Sequence, residues 1–102
     1  MALDPGFGFG KSQKQNLWLL ANLSFMAREF PGFPLLVGTS RKSFIGRVLD
    51  GAAVEQRLHG TMATVAAAIL QGAHIIRVHD VAAAVETARV ADAIKKMSND
   101  VC

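Results

Sequence analysis

Two basic side chains and an acidic one stand together where an apolar run ends. The segment Ile75–Asp80 reads Ile-Ile-Arg-Val-His-Asp, so a predicted strand passes directly into charge. Because successive strand residues point to opposite faces, Arg77 and His79 share a face with Ile75, and the intervening residues face the other way. A pair of potential cations at a strand end suits the binding of an anion.

A second polar cluster follows the apolar run Pro34–Gly38, which predicts a strand buried on both faces, as in a parallel sheet. Ser40, Arg41 and Lys42 come next, and the carboxyl ends of parallel strands meet at one edge, so these side chains should approach the basic pair of the later strand. Lys42 is favoured for the site because Arg41 should point elsewhere. Helix N-termini add N–H groups at this edge, which makes a phosphate or diphosphate the expected ligand.

Asp4 is the acidic group expected at the same edge, where its carboxylate could accept hydrogen bonds from the ring N–H donors of a heterocycle. Glycines recur at alternate positions in the stretch after it, from Pro5 to Lys11. That stretch is either a flexible loop or a backbone that approaches a ligand closely, which glycine permits because it has no Cβ.

The basic residues also have structural interpretations. Arg77 could form an ion pair with Asp80 or Glu86, and His79 could serve only to order its turn. No zinc motif, phosphate-binding Walker loop or serine-nucleophile elbow is present in the sequence. The other two histidines lack partners at metal-ligand spacing and are expected to be non-functional: His59 and His74.

Helices alternate with the two strands in the sequence pattern, which indicates parallel βα units and the α/β class. Ser12 and Gln15 form a capping-box pattern that opens a helix over 12–29, in which Trp18 and Phe25 are core or interface anchors. Gly72 is expected to end a later helix. Further helices are predicted over 42–49, over 52–71 and from 81 onward, and 97–102 is predicted to be a frayed tail.

The composition favours one packed domain, since 51% of the 102 residues are hydrophobic. The net charge of +3 comes without a long basic run or interleaved aromatics, so nucleic-acid binding is not expected. The apolar run 62–70 is shorter than the roughly 20 residues that span a bilayer, and 1–9 does not resemble a signal peptide. With Cys102 as its single cysteine, the protein is expected to be soluble and cytoplasmic.

Three stretches in register resemble the C-terminal signatures of dihydropteroate synthase: Leu3–Lys11, Val37–Gly46 and Gly72–Val81. The resemblance covers about the last third of the family's pattern. It implies a partial (β/α)₈ TIM barrel, namely the sixth strand's loop and helix followed by the seventh and eighth βα units. A complete barrel typically needs about 250 residues, so 1–102 is expected to be the C-terminal part of a pterin-binding barrel.

The resemblance also implies a transferase of folate biosynthesis, which condenses (7,8-dihydropterin-6-yl)methyl diphosphate with 4-aminobenzoate to give dihydropteroate and diphosphate. The catalytic residues would be Lys42, which bonds the pterin, and Arg77 with His79, which form the diphosphate pocket. Asp4 would grip the pterin ring. Ser40 and Phe9 would contact 4-aminobenzoate where sulfonamides bind. The full substrate-binding set implied is Asp4, Phe9, Gly38, Ser40, Lys42, Arg77, Val78 and His79.

Other parts of the family's site are expected to lie outside this chain. They include the first-strand asparagine that binds the assisting Mg²⁺, two mobile loops, and further pterin-binding residues of the middle strands. The chain alone should therefore keep part of the site and turn over negligibly. It could also be an inactive phosphate-binding, pterin-binding or interaction module. Expected protein partners are a second copy, since relatives pair through their last helices, or a complementing N-terminal barrel portion.

Overall fold

Three chain segments lie side by side in parallel at the centre of the computed structural model, which describes residues 2–8 and 11–99. Strands β1 (Leu36–Val37) and β2 (Ile75–Ile76) pair in parallel. On the other side of β1, Leu3 forms a parallel bridge with Leu35, and Leu36 N donates to Leu3 O at 2.7 Å. The spatial order is thus the Leu3 segment, β1 and then β2.

Helices cover these segments on one side and alternate with them along the chain, which confirms the α/β prediction. A short 3₁₀ helix, Val54–Gln56, precedes the fourth α-helix. The α-helices are α1 (Gln13–Ala21), α2 (Leu23–Glu29), α3 (Ser43–Val48), α4 (Leu58–Leu70) and α5 (Val81–Asn99).

The predicted start of the first helix is confirmed, but its predicted length is wrong. Gln15 N donates to Ser12 Oγ at 3.1 Å and Ser12 N donates to Gln15 Oε1 at 2.8 Å, which completes the capping box. The helix is interrupted at Asn22, whose φ of −118° and ψ of 20° separate α1 from α2. The Asn22 side-chain amide donates to Trp18 O at 2.8 Å, a local bond that competes with helix continuation.

Two other predicted boundaries differ from the structure. The helix predicted over 52–71 begins only at Leu58, because the residues before it form the 3₁₀ helix and its flanking turns. Gly72 does end that helix, with a φ of +109° that suits glycine. Helix α5 continues to Asn99, so 97–99 are helical rather than part of a frayed tail; 100–102 lie outside the described residues.

The core lies between the parallel segments and the helices. Phe7 and Phe44 stack there with ring centroids 6.2 Å apart, and Leu35 and Val37 are buried beside them. Leu36 is only half-buried. The prediction that this strand is buried on both faces is therefore confirmed for one face and wrong for the other. The bare face is the one that the site uses.

Strand β2 and the three residues that follow it show the predicted alternation. Ile75, Arg77 and His79 are exposed, whereas Ile76 and Val78 pack against the helices. The Arg77 and His79 side chains therefore leave the sheet on its uncovered face.

The two aromatic anchors predicted in the first helical region do not belong to the core. Trp18 is 62% exposed and Phe25 is 57% exposed, so the core interpretation is wrong and the interface interpretation stays a prediction. In the part of the chain that the structure describes, no helix is long and apolar enough to span a bilayer.

Candidate substrate-binding site

A cavity of about 490 Å³ opens at the carboxyl ends of the three parallel segments. It brings together the predicted site residues, apart from Phe9, which lies outside the described residues. Leu36 also lines it and was missed by sequence reasoning, although its place in an alternating strand was a usable signal. The lining residues are Asp4, Leu36, Gly38, Ser40, Lys42, Arg77, Val78 and His79.

The Lys42 side chain is held against the glycine-rich stretch. Its Nζ donates to Phe7 O at 2.5 Å, and its chain passes Gly8 so closely that a Cβ there would lie 3.2 Å from Lys42 Cδ. The glycine therefore makes room for a side chain of the site. Burial lowers the pKa of Lys42, the Asp4 carboxylate opposes this, and Arg77 adds to the lowering.

Ser40 and His79 join the two strand ends across the cavity wall. Ser40 Oγ lies 2.7 Å from His79 Nδ1, and the backbone N–H of His79 donates to the same oxygen at 3.0 Å. His79 thus orders its turn and lines the cavity as well, so its structural and functional interpretations are compatible.

Arg41 pairs with Asp80 beside the cavity and does not line it. Its Nη2 and Nε donate to Asp80 Oδ1 and Oδ2 at 2.7 and 3.1 Å. The hydrogen bond from Arg41 lowers the pKa of the Asp80 carboxyl and, reciprocally, raises the pKa of Arg41. The prediction that Arg41 points elsewhere is confirmed. Among the described residues Arg77 forms no ion pair with Asp80 or Glu86, so that alternative is wrong.

Arg57 supports the loop of the site from outside, and no sequence pattern had indicated this role. Its Nη1 donates to Arg41 O and its Nε to Ala52 O, both at 2.9 Å. The guanidinium lies over Gly46, where a Cβ would come within 2.6 Å of Arg57 Nε. Arg41, which takes a φ of 56°, is also fixed by its N–H, which donates to Thr61 Oγ1 at 3.0 Å.

Buried threonine hydroxyls connect the end of β1 to α4. Thr64 Oγ1 donates to Thr61 O at 2.6 Å, and Thr39 Oγ1 lies 2.7 Å from Thr64 Oγ1. Since a hydroxyl has one proton and Thr64 gives its own to Thr61 O, Thr39 is the donor to Thr64. The direction of both bonds is thereby fixed, and the residue before Ser40 cannot rotate freely.

His74 lies outside the cavity and has a structural hydrogen bond. His74 Nδ1 accepts a hydrogen bond from Leu35 N at 3.0 Å, a structural role that agrees with the prediction that His74 is non-functional. Within 2–8 and 11–99, no three His, Cys, Asp or Glu side chains converge on a point that could hold a metal ion. Among the described residues, Mg²⁺ would therefore find no set of three such protein ligands.

The cavity-lining residues all fall within one match to a known family. A family model described as pterin binding enzyme matches residues 1–79, which ends at the last lining residue, His79. The chain belongs to the pterin-binding enzyme family.

Relatives in the pterin-binding family are named dihydropteroate synthase, which confirms the predicted resemblance. The one from Synechocystis is 53% identical over 92 residues, 90% of this chain and 31% of the relative. The one from Escherichia coli K12 is 53% identical over 95 residues, 91% of this chain and 32% of the relative. The chain thus spans about a third of the length of these curated relatives.

A solved pterin-binding structure gives the same result for the fold. The Yersinia pestis enzyme with a pterine–sulfa conjugate superposes with a TM-score of 0.88 at 46% identity, over 94% of this chain and 37% of that one. The predicted partial TIM barrel is confirmed. The chain corresponds to part of such a barrel.

Proposed function

We propose that the chain supplies part of the active site of a dihydropteroate synthase, which joins (7,8-dihydropterin-6-yl)methyl diphosphate to 4-aminobenzoate and releases diphosphate in folate biosynthesis. The observation that carries this proposal is the shared cavity, in which Lys42, Arg77 and His79 from two strand ends face Asp4 from a third segment. Cations and a carboxylate in one hollow complement a substrate that has a diphosphate and a ring with N–H donors.

The basic groups would act on the leaving diphosphate. Negative charge grows on its bridging oxygen as the carbon–oxygen bond breaks, and fixed cations and N–H donors stabilise that charge best where water is partly excluded. Lys42 and Arg77 supply cationic donors, and the His79 ring supplies a further polar group. Partial burial strengthens these interactions, and burial also lowers the pKa of Lys42.

Asp4 would bind the pterin. Its Oδ1 accepts a hydrogen bond from Gly6 N at 2.8 Å, which orients the carboxylate at the cavity wall. A carboxylate accepts hydrogen bonds only, so it selects a heterocycle that presents N–H groups.

The 4-aminobenzoate would contact Ser40 and Phe9 in the region that sulfonamides occupy, and sulfonamides should compete with it.

Mg²⁺ would be held by residues outside those that the structure describes. A cytoplasmic location is part of the same proposal.

Catalysis would require the rest of the barrel. Ile75 on the inner face of β2 is 42% exposed, as expected for a surface that other strands cover. We therefore expect negligible turnover from the chain alone. A complementing N-terminal barrel portion, or assembly into a homodimer with further barrel segments, would complete the site.

Calorimetric titration of the pterin diphosphate into the chain tests the proposal. Lys42→Ala and Arg77→Ala should each weaken binding roughly 10- to 100-fold, since each removes a charged hydrogen-bond donor. Lys14→Ala is the matched control, because Lys14 is an exposed cation of α1 outside the cavity. Equal affinity in all four proteins would show a merely basic surface and refute the proposal.

A second candidate, an inactive phosphate- or pterin-binding module, is favoured by the short span of the chain relative to its relatives. Mixing the chain with a purified N-terminal barrel portion of a relative and assaying dihydropteroate distinguishes the two. Turnover in the mixture supports the synthase, whereas ligand binding without turnover supports the module.

A further inference from the structure

We infer that the Ser40 hydroxyl sets the tautomer of His79, so that the neutral ring carries its proton on Nε2 and presents an N–H donor to the cavity. Ser40 is then a positioning residue for His79. The inference rests on the proposed function only for the identity of the acceptor, a diphosphate oxygen. The tautomer itself follows from the hydrogen bonds between Ser40 and His79.

Ser40 Oγ already accepts one hydrogen bond. The backbone N–H of His79 donates to this oxygen at 3.0 Å, and that direction is fixed because a peptide N–H only donates. Ser40 Oγ retains one proton and one further lone pair for its 2.7 Å contact with His79 Nδ1.

Two arrangements of that contact are possible. Either the hydroxyl donates to a bare Nδ1, and the ring proton is on Nε2, or Nδ1–H donates to the hydroxyl. In the second case the hydroxyl proton needs another acceptor. Ser40 is only 7% exposed, and within the described part of the chain its hydroxyl has no other hydrogen-bond partner. A buried hydroxyl that lacks an acceptor is unfavourable. The Ser40 hydroxyl therefore donates to Nδ1, and the ring proton is on Nε2.

The geometry gives His79 a defined chemical role. Nδ1 accepts from Ser40, and the exposed ring lines the cavity with its Nε2 side available for a ligand. When the ring is protonated, Nδ1–H turns to Ser40 and Nε2–H is unchanged. His79 therefore offers the cavity a donor in both protonation states, which suits an anion.

The same assignment excludes one catalytic role. The condensation forms a bond between the amine nitrogen and the pterin methylene carbon and breaks the bond from that carbon to the diphosphate oxygen, and the amine loses a proton. The only lone pair of a neutral His79 ring is on Nδ1 and is already used by Ser40. The amine proton therefore passes to an acceptor other than the neutral His79 ring, such as the departing diphosphate or water.

Long-range ¹H–¹⁵N correlation spectra of the ¹⁵N-labelled chain near pH 8 test this directly, since the two ring nitrogens differ widely in shift according to which one is protonated. We expect His79 to show a protonated Nε2 and a bare Nδ1. His74 is an internal reference for that pattern, because its Nδ1 accepts from a backbone N–H. A His79 spectrum with the proton on Nδ1 would overturn the inference without any variant.

Ser40→Ala should move the His79 signals towards a mixture of tautomers and leave those of His74 unchanged. Ser40→Thr, which keeps a hydroxyl, should restore the Nε2–H pattern, and Ser43→Ala, which removes an exposed hydroxyl nearby, should not alter it. If Ser40→Ala leaves the His79 tautomer as it is in the wild type, the inference fails. If that variant does not fold, the wild-type and Ser40→Thr spectra still show which ring nitrogen of His79 carries the proton.

Binding of inorganic diphosphate provides the functional readout. Ser40→Ala should weaken it roughly two- to tenfold, the range for one hydrogen bond that is no longer preorganised. Unchanged diphosphate affinity in a variant whose tautomer has shifted would contradict the donor role. The proposed function fails separately, if the pterin diphosphate does not bind while the Nε2–H tautomer is still observed.

Discussion

Arg41 and Asp80 make a two-point contact between the loop after β1 and the start of α5, with Nη2 to Oδ1 at 2.7 Å and Nε to Oδ2 at 3.1 Å. The contact lies beside the bond between Ser40 and His79, so the two strand ends are joined twice. Both oxygens of the carboxylate face the planar guanidinium, an arrangement that lysine could not reproduce. The ion pair thereby fixes the spacing of the strand ends from which the basic cavity groups project.

This ion pair should make stability depend on acid pH. Arg41 holds the pKa of Asp80 below its ordinary value of 3.8, so the pair stabilises the fold above that value and the contribution is lost as pH falls through the lowered one. We expect the free energy of unfolding to decline more steeply below about pH 4 in the wild type than in Asp80→Asn. Urea unfolding at a series of pH values measures the difference.

Asp92→Asn is the control for that series, because Asp92 is an exposed carboxylate of the same helix without this partner. The free energy of unfolding of Asp92→Asn should fall with pH as steeply as that of the wild type. Parallel curves for the wild type and Asp80→Asn would show that the ion pair does not contribute to folding.

Lys42 should lose its proton at a lower pH than an ordinary lysine, whose pKa is 10.5. Burial disfavours the ammonium, and the nearby Asp4 carboxylate offsets part of that effect. Asp4→Asn should therefore lower the pKa of Lys42 further, whereas bound inorganic diphosphate should raise it. Titration of the Lys42 side-chain signal by ¹³C NMR follows all three cases, and a rise in Asp4→Asn would contradict the assignment.

Gly8→Ala should destabilise the chain by about 1–3 kcal/mol, because its φ of +87° is strained for alanine. The new Cβ would also press on Lys42 Cδ at 3.2 Å. Gly32→Ala is the matched control, since its Cβ would enter open space. Urea unfolding gives both values, and equal losses in the two variants would exclude a special role for Gly8.

Thr64→Val should cost about 1–3 kcal/mol, because it leaves the buried hydroxyl of Thr39 without its acceptor. Thr87→Val provides the comparison, since the Thr87 hydroxyl bonds only to Ala83 O of its own helix. The free energy of unfolding of that variant should change by less than about 0.5 kcal/mol. A similar loss of stability in both variants would mean that the hydrogen bond between Thr39 and Thr64 does not fix the end of β1.

The sequence predicted most of the site because the site depends on strand alternation and on parallel strand ends meeting at one edge. Strand alternation alone placed Arg77 and His79 on one face, and the rule on strand ends brought Ser40 and Lys42 near them. The capping box of Ser12 was likewise a local pattern. Each of these features needs only a few consecutive residues.

The features that were missed depend on contacts between distant residues. Asn22 interrupts a helix through its own side chain, which helical periodicity does not register. The bond from Arg57 to Arg41 O spans 16 positions and depends on the fold of the 3₁₀ segment between α3 and α4. Trp18 was predicted as a core or interface anchor, and its 62% exposure could not be read from helical spacing, which does not tell which helix face packs against the fold.

Arg57 links the segment between α3 and α4 to the cavity. Its guanidinium donates to both Ala52 O and Arg41 O and lies over Gly46. Insertions or exchanges in 50–57, a segment that does not line the cavity, would therefore shift the backbone from which Ser40 and Lys42 project. Homologues could therefore differ in the shape of the cavity while every residue that lines it stays the same.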